Sequence, residues 1–216
     1  MKRAVIFDMD GVIIDSEIIY LNYQLEYAKT KNPDVELKDL YPMVGRTAKD
    51  AWMVLERAIH NGQSWEELRQ EYRENWNVYN TVDYKSIFRQ ELVPVLERLK
   101  AEGYKLAVAS STGLELVEHV LETNGIRKYF EEVISGNMFK RSKPDPEIYC
   151  FTAGKLGVEV EECLVLEDST VGITAAHRAG MTVAALIDDR FGFDRSLADY
   201  EIVEIPQIFE ILEKIA

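Results

Sequence analysis

A chain of 216 residues has room for one large domain, or for a medium domain carrying a small one. Its hydrophobic fraction of 47% and charged fraction of 29% exclude a disordered or fibrous protein. A net charge of −13, from 25 Lys and Arg against 38 Asp and Glu, disfavours nucleic acid and anionic membrane as partners, so any anion bound must be drawn by a local positive feature.

The first apolar run, Ala4 to Phe7, reads as a short buried strand. Asp8, Asp10 and Asp15 follow too closely for this segment to be a secretion signal, and no later stretch approaches the roughly 18 apolar residues of a membrane span. From Glu17 to Lys85 the pattern is helical: Ile18, Leu21, Leu25 and Ala28, then Trp52, Leu55 and Ile59, then Trp65, Leu68, Tyr72, Trp76 and Tyr79. Asn32-Pro33, Tyr41-Pro42 and Asn61-Gly62 separate these stripes. From about residue 90 short apolar runs alternate with helical stripes. Leu106–Ala109, Val133-Ile134, Cys163–Leu166 and Val183–Ile187 read as strands, with Gly103, Gly125 and Gly180 as helix stops. The expected architecture is α/β: a doubly wound parallel sheet built from residues 1–15 and 86–216, interrupted by a helical insertion over 16–85. Cys150 and Cys163 lack metal-site or redox spacing and are expected to be buried thiols in a reducing cytoplasm.

Three runs end in polar residues: Asp8-Met9-Asp10-Gly11, Ser110-Ser111-Thr112 and Glu167-Asp168-Ser169. In a parallel sheet the carboxyl ends of the strands share one edge, where ligands bind, so these groups should converge. Helix capping explains one acid at a strand end, but several gathered together repel each other unless a cation is present. Hard oxygen donors suit Mg²⁺, with Asp8 and Asp168 as ligands and Glu167 as a helper. Lys143, held extended by Pro144 beyond a further strand end, supplies positive charge. Such a site permits Asp8 to attack phosphorus, Asp10 to serve as acid and base, and Ser110 to hold the phosphoryl group.

Asp8-Met9-Asp10-Gly11-Val12, Ser110, Lys143-Pro144 and Glu167-Asp168 resemble the four ordered motifs of the haloacid dehalogenase superfamily. Val12-Ile13-Ile14-Asp15-Ser16, Lys143-Pro144-Asp145-Pro146 and Glu167 to Ile173 are similar to its β-phosphoglucomutase-like and phosphoglycolate-phosphatase-like branch. The resemblance implies a Rossmann-like core with a helical cap, and Mg²⁺ bound by Asp8, the Asp10 backbone carbonyl and Asp168. It further implies Gly11, Ser111 and the cap-loop Arg46 as substrate-binding positions. Asp10 points to phosphoryl transfer rather than dehalogenation. The expected activity is a cytoplasmic phosphatase for a small phosphorylated metabolite, such as a sugar phosphate, with no obligate protein partner. A sugar-phosphate mutase and a phospho-Asp switch are the alternatives. Tyr20 stands where β-phosphoglucomutases carry a cap histidine, and the first-strand nucleophile does not suit a receiver-type switch. The cap aromatics are expected to be cap core, and His60, His119 and His177 to have no chemical role.

Overall fold

The computed structural model describes residues 1–76 and 82–215. Six strands among them form one parallel sheet in the order β3-β2-β1-β4-β5-β6. They are β1 (Ala4–Phe7), β2 (Lys105–Ser110), β3 (Glu132–Ser135), β4 (Cys163–Glu167), β5 (Thr182–Leu186) and β6 (Tyr200–Ile202). All four residues of β1 are fully buried, because helices cover both faces of a parallel sheet. Of these, Val5, Ile6 and Phe7 each contribute about 1.5–3 kcal/mol on burial. The first five strands coincide with the five apolar runs. The sixth, Tyr200-Glu201-Ile202, carries no such run, since an edge strand is half exposed and needs only one apolar face.

The chain divides into two compact units, residues 1–15 with 84–216, and residues 16–83; the sequence reading drew the second crossing at 85/86. In the larger unit α5 (Leu92–Ala101), α6 (Leu114–Thr123), α7 (Glu147–Leu156), α8 (Thr170–Arg178) and α9 (Ile208–Lys214) accompany the sheet. Its two crossing segments are stitched together. Asp15 N–H donates to the Ile87 carbonyl at 2.8 Å and Arg89 N–H to that of Ile13 at 3.1 Å, around an antiparallel bridge between Ile14 and Phe88. Arg190 donates to both Asp15 oxygens, at 2.6 and 3.1 Å, and pairs with Asp188.

The smaller unit contains α1 (Glu17–Lys31), α2 (Leu37–Leu40), α3 (Ala48–Ile59) and α4 (Trp65–Asn75). Its centre is Tyr27, fully buried, donating to the Leu68 carbonyl at 3.1 Å and meeting Trp52, Tyr72 and Trp76 edge-on. Trp52 and Tyr72 are core, as their spacing predicted, and so is Tyr27, which lay off the predicted stripe; Trp65 and Trp76 are only half-buried, and Tyr79 falls outside the described residues. Cys150 is a correction to the expectation of two buried thiols. It is exposed while Cys163 is buried, because α7 turns Ile148, Tyr149, Thr152, Ala153 and Leu156 inward and Cys150 outward. Among the described residues no helix is long and apolar enough to cross a membrane.

Candidate active site

The strand order reverses direction at β1, so the carboxyl ends of β1 and β4 border a topological switch point, the usual ligand crevice of an open α/β sheet. Phe7 is in register with Leu166, and the Asp8 N–H donates to the Leu166 carbonyl at 3.0 Å, which sets Asp8 beside Glu167. Beyond Asp8 the backbone coils around the Met9 carbonyl, which accepts from the N–H groups of Val12, Ile13 and Ile14. Gly11 sits in this turn at φ +81°, and a Cβ there would lie 2.0 Å from Asp168 Oδ2. No other residue fits that position.

Lys143 lies at the centre of the site and is only 4% exposed. Its Nζ donates to Asp8 Oδ1 at 2.7 Å, Glu167 Oε1 at 2.7 Å and the Ala109 carbonyl at 2.9 Å, so all three ammonium protons are engaged. Burial pulls the ammonium toward neutrality, but Asp8 and Glu167 overcome this and hold its pKa well above the ordinary lysine value. Burial pushes the Asp8 carboxyl up to about 7, against the pull of Lys143 and with help from Glu167 and Asp10.

Glu167 is fully buried and accepts at both oxygens. Oε1 receives Lys143 Nζ and, at 2.9 Å, the hydroxyl of Tyr149; Oε2 receives the N–H groups of Asp168 and Ser169 and the Ser169 hydroxyl at 3.0–3.1 Å. Ser169 also caps α8 by accepting from the Gly172 N–H. Tyr149, buried on α7, carries its ring 4.8 Å from Lys143 Nζ. Desolvation, reinforced by Glu167, raises its phenol well above the usual value, so it remains a proton donor.

Asp8, Glu167 and Asp168, all buried, each offer a carboxylate oxygen within 4.8 Å of the others. At that spacing and an effective dielectric near 20, each pair of charges repels by about 3–4 kcal/mol. Lys143 offsets one charge only. An oxygen-rich, buried and net anionic donor set of this kind fits a hard divalent cation, and the missing Cβ of Gly11 leaves room for the Asp168 carboxylate to reach it.

Asp10 is turned toward the end of β2, where its Oδ2 accepts from the Thr112 hydroxyl at 2.7 Å. Ser110, 1% exposed, accepts from the Thr112 N–H at 3.0 Å. The buried Ser135 donates to the Thr112 carbonyl, fixing this turn from β3. Ser111 is exposed. Arg46 is exposed too, on the loop ahead of α3 in the smaller unit. The structure thus joins Asp8, Lys143, Glu167 and Asp168 in one cluster, and links Asp10 to Ser110 through Thr112. Sequence reasoning missed three contributors: Tyr149; Thr112, quoted only as part of a polar strand end; and Arg89, whose Nε donates to the Gly11 carbonyl at 3.2 Å. The six-residue interval from Lys143 to Tyr149, across a loop and into a helix, was the available signal.

Fold and site together define a doubly wound α/β enzyme with an acidic, lysine-centred crevice at its switch point. The model of the haloacid dehalogenase-like hydrolases matches residues 5–186, and the chain belongs to that family. It is 31% identical to a phosphorylated carbohydrates phosphatase of Thermotoga maritima over 83% of this chain and 82% of the relative. It is also 31% identical to hexitol phosphatase B of Escherichia coli strain K12, over 82% and 80% of the two chains. A Thermotoga maritima crystal structure, provisionally assigned as a β-phosphoglucomutase, superposes with a TM-score of 0.75 at 26% identity, covering 99% of this chain and all of that one.

Proposed function

We propose that this chain is a cytoplasmic, Mg²⁺-dependent phosphatase of a small phosphorylated metabolite, most simply a sugar phosphate, acting through a phosphoryl group carried on Asp8. The observation that carries the reading is the shared ammonium of Lys143, bonded at once to Asp8 and Glu167, two of three buried acids that with Asp168 bring their carboxylate oxygens within 4.8 Å of one another. The names of the two 31%-identical relatives, phosphatases of phosphorylated carbohydrates and of hexitols, support the substrate class.

An Asp8 oxygen attacks phosphorus as the ester P–O bond breaks, and protonated Asp10 delivers its proton to the departing alkoxide. The Asp10 carboxylate then takes a proton from water, whose oxygen attacks the same phosphorus. Orthophosphate leaves, and the Asp8 carboxylate is regenerated. Lys143 turns the proton it holds on Asp8 toward the phosphoryl oxygens as charge develops there. The Ser110 hydroxyl donates to the transferring group, while the Thr112 hydroxyl keeps Asp10 aimed. Asp8, Asp168 and the Asp10 carbonyl would hold Mg²⁺, which supplies the positive charge that lets an anionic nucleophile meet a phosphate dianion. Glu167 would join as a ligand only by releasing some of the five hydrogen bonds it accepts. Gly11 and Ser111 are assigned to the phosphate end of the substrate, and Arg46 to its non-reacting part.

The test is phosphate release from a panel of sugar phosphates, phosphoglycolate and nucleotides, with Mg²⁺ and with chelator. Turnover that chelator abolishes, Mg²⁺ restores and Asp8→Asn eliminates is expected. No release from any ester, or an Asp8→Asn variant as active as the wild type, refutes the reading. The likeness to the β-phosphoglucomutase-assigned structure favours a second reading, a sugar-phosphate mutase. Conversion of β-glucose 1-phosphate to glucose 6-phosphate faster than phosphate release would establish it.

A further inference from the structure

We infer that Tyr149 is a positioning residue, whose hydroxyl holds the Glu167 carboxylate and, through it, the Lys143 ammonium, in the orientation that phosphoryl transfer requires. The inference rests on the phosphatase reading of the site.

Three contacts carry it. The Tyr149 hydroxyl and Lys143 Nζ donate to the same oxygen, Glu167 Oε1, at 2.9 and 2.7 Å. The ring lies 4.8 Å from Nζ, so one side chain constrains both the ammonium and its anionic partner. Tyr149 itself is fully buried on α7, packed among Ile134, Ile148, Ala153 and Ile173, and has no freedom to follow a moving neighbour.

During transfer Lys143 must redirect its Asp8-bound proton to the phosphoryl oxygen while keeping its other two bonds as pivots. One pivot, the Ala109 carbonyl, is rigid backbone of β2. The other, Glu167 Oε1, is a side-chain atom that its own torsions would allow to follow the ammonium. Three donors already hold Oε2, and the Tyr149 hydroxyl, as a second donor on Oε1, fixes the other end of the carboxylate so that it cannot swing with Lys143. It also takes up part of the negative charge that would otherwise draw Lys143 away from the phosphoryl group. The benefit grows with charge on the transferring oxygens, so it acts on the transition state more than on bound substrate.

Tyr149→Phe removes the hydroxyl and keeps the ring. Expected are a kcat about tenfold lower, KM and inhibition by inorganic phosphate within about twofold of wild type, and inhibition by orthovanadate, which adopts five-coordinate geometry, weakened about tenfold. On a Glu167→Gln background the same change is expected to cost almost nothing further, because the two side chains act in series. An unchanged kcat in folded Tyr149→Phe overturns the inference. So do equal losses of phosphate and vanadate binding, which indicate general loosening, and fully additive effects of the two substitutions. Should Tyr149→Phe not fold, Glu167→Gln carries the same split of kcat from phosphate affinity, and wild-type kcat in that variant overturns the inference. If the wild type releases no phosphate with Mg²⁺, the phosphatase reading fails and this one with it; wild-type turnover beside an unaltered Tyr149→Phe removes this inference alone.

Discussion

Replacing Gly172 by Ala tests how firmly Glu167 is held. Gly172 occupies the first turn of α8, and elsewhere in a helix Gly→Ala stabilises by up to about 1 kcal/mol. Here the added Cβ would lie 1.6 Å from Glu167 Oε1 and 1.9 Å from its Cδ, so the carboxylate must retreat by about 2 Å to reach ordinary contact. That movement breaks at least two of the five hydrogen bonds it accepts, each worth about 1.5–3 kcal/mol to a charged group. Net destabilisation of about 2–5 kcal/mol is expected, read as a lower urea midpoint by circular dichroism in chelator. Gly154 supplies the control: it is helical and exposed, and a Cβ there meets nothing within 4 Å, so Gly154→Ala should raise the midpoint. A Gly172→Ala protein as stable as the wild type, with Gly154→Ala stabilised, would refute the account of Glu167 as a fixed group.

Two further outcomes follow from the same geometry. Gly11→Ala combines a left-handed φ of +81° with a Cβ 2.0 Å from Asp168 Oδ2, so Mg²⁺ affinity measured by titration calorimetry should fall at least tenfold; undiminished affinity would remove Asp168 from the ligand set. The Asp8 carboxyl, raised to about 7 from the ordinary 3.8, binds its proton more tightly in the folded than in the unfolded state. Its contribution to metal-free stability is therefore full at low pH and declines as pH rises from about 4 to about 7, by up to about 4 kcal/mol at about 1.4 kcal/mol per unit. Subtracting the profile of Asp8→Asn isolates this term. A difference that grows with pH over that window would contradict the assignment.

Much of the candidate site's composition was legible in the order of residues. Apolar runs too short for helices and polar residues at their ends were enough to locate five strands and to gather Asp8, Ser110, Glu167 and Asp168 at one sheet edge. The edge strand β6 escaped because its three residues alternate rather than form a run. Lys143 had the right place in the chain, but its near-complete burial was invisible: a basic loop reads as solvated unless one knows that Asp8, 135 residues earlier, and Glu167, 24 residues later, close around it.

Local sequence determined which segments become strands and helices, because periodicity and capping act within a few residues. It also placed the helical insertion after the first strand. Only the tertiary structure decided how the acids divide their work. Glu167 and Asp168 are adjacent in sequence and chemically alike, yet one faces the Lys143 ammonium and the Tyr149 hydroxyl, and the other faces the gap left by Gly11. That distinction arises from contacts between α7, α8, β1 and β4, and long-range packing of this kind leaves no periodic trace in the chain.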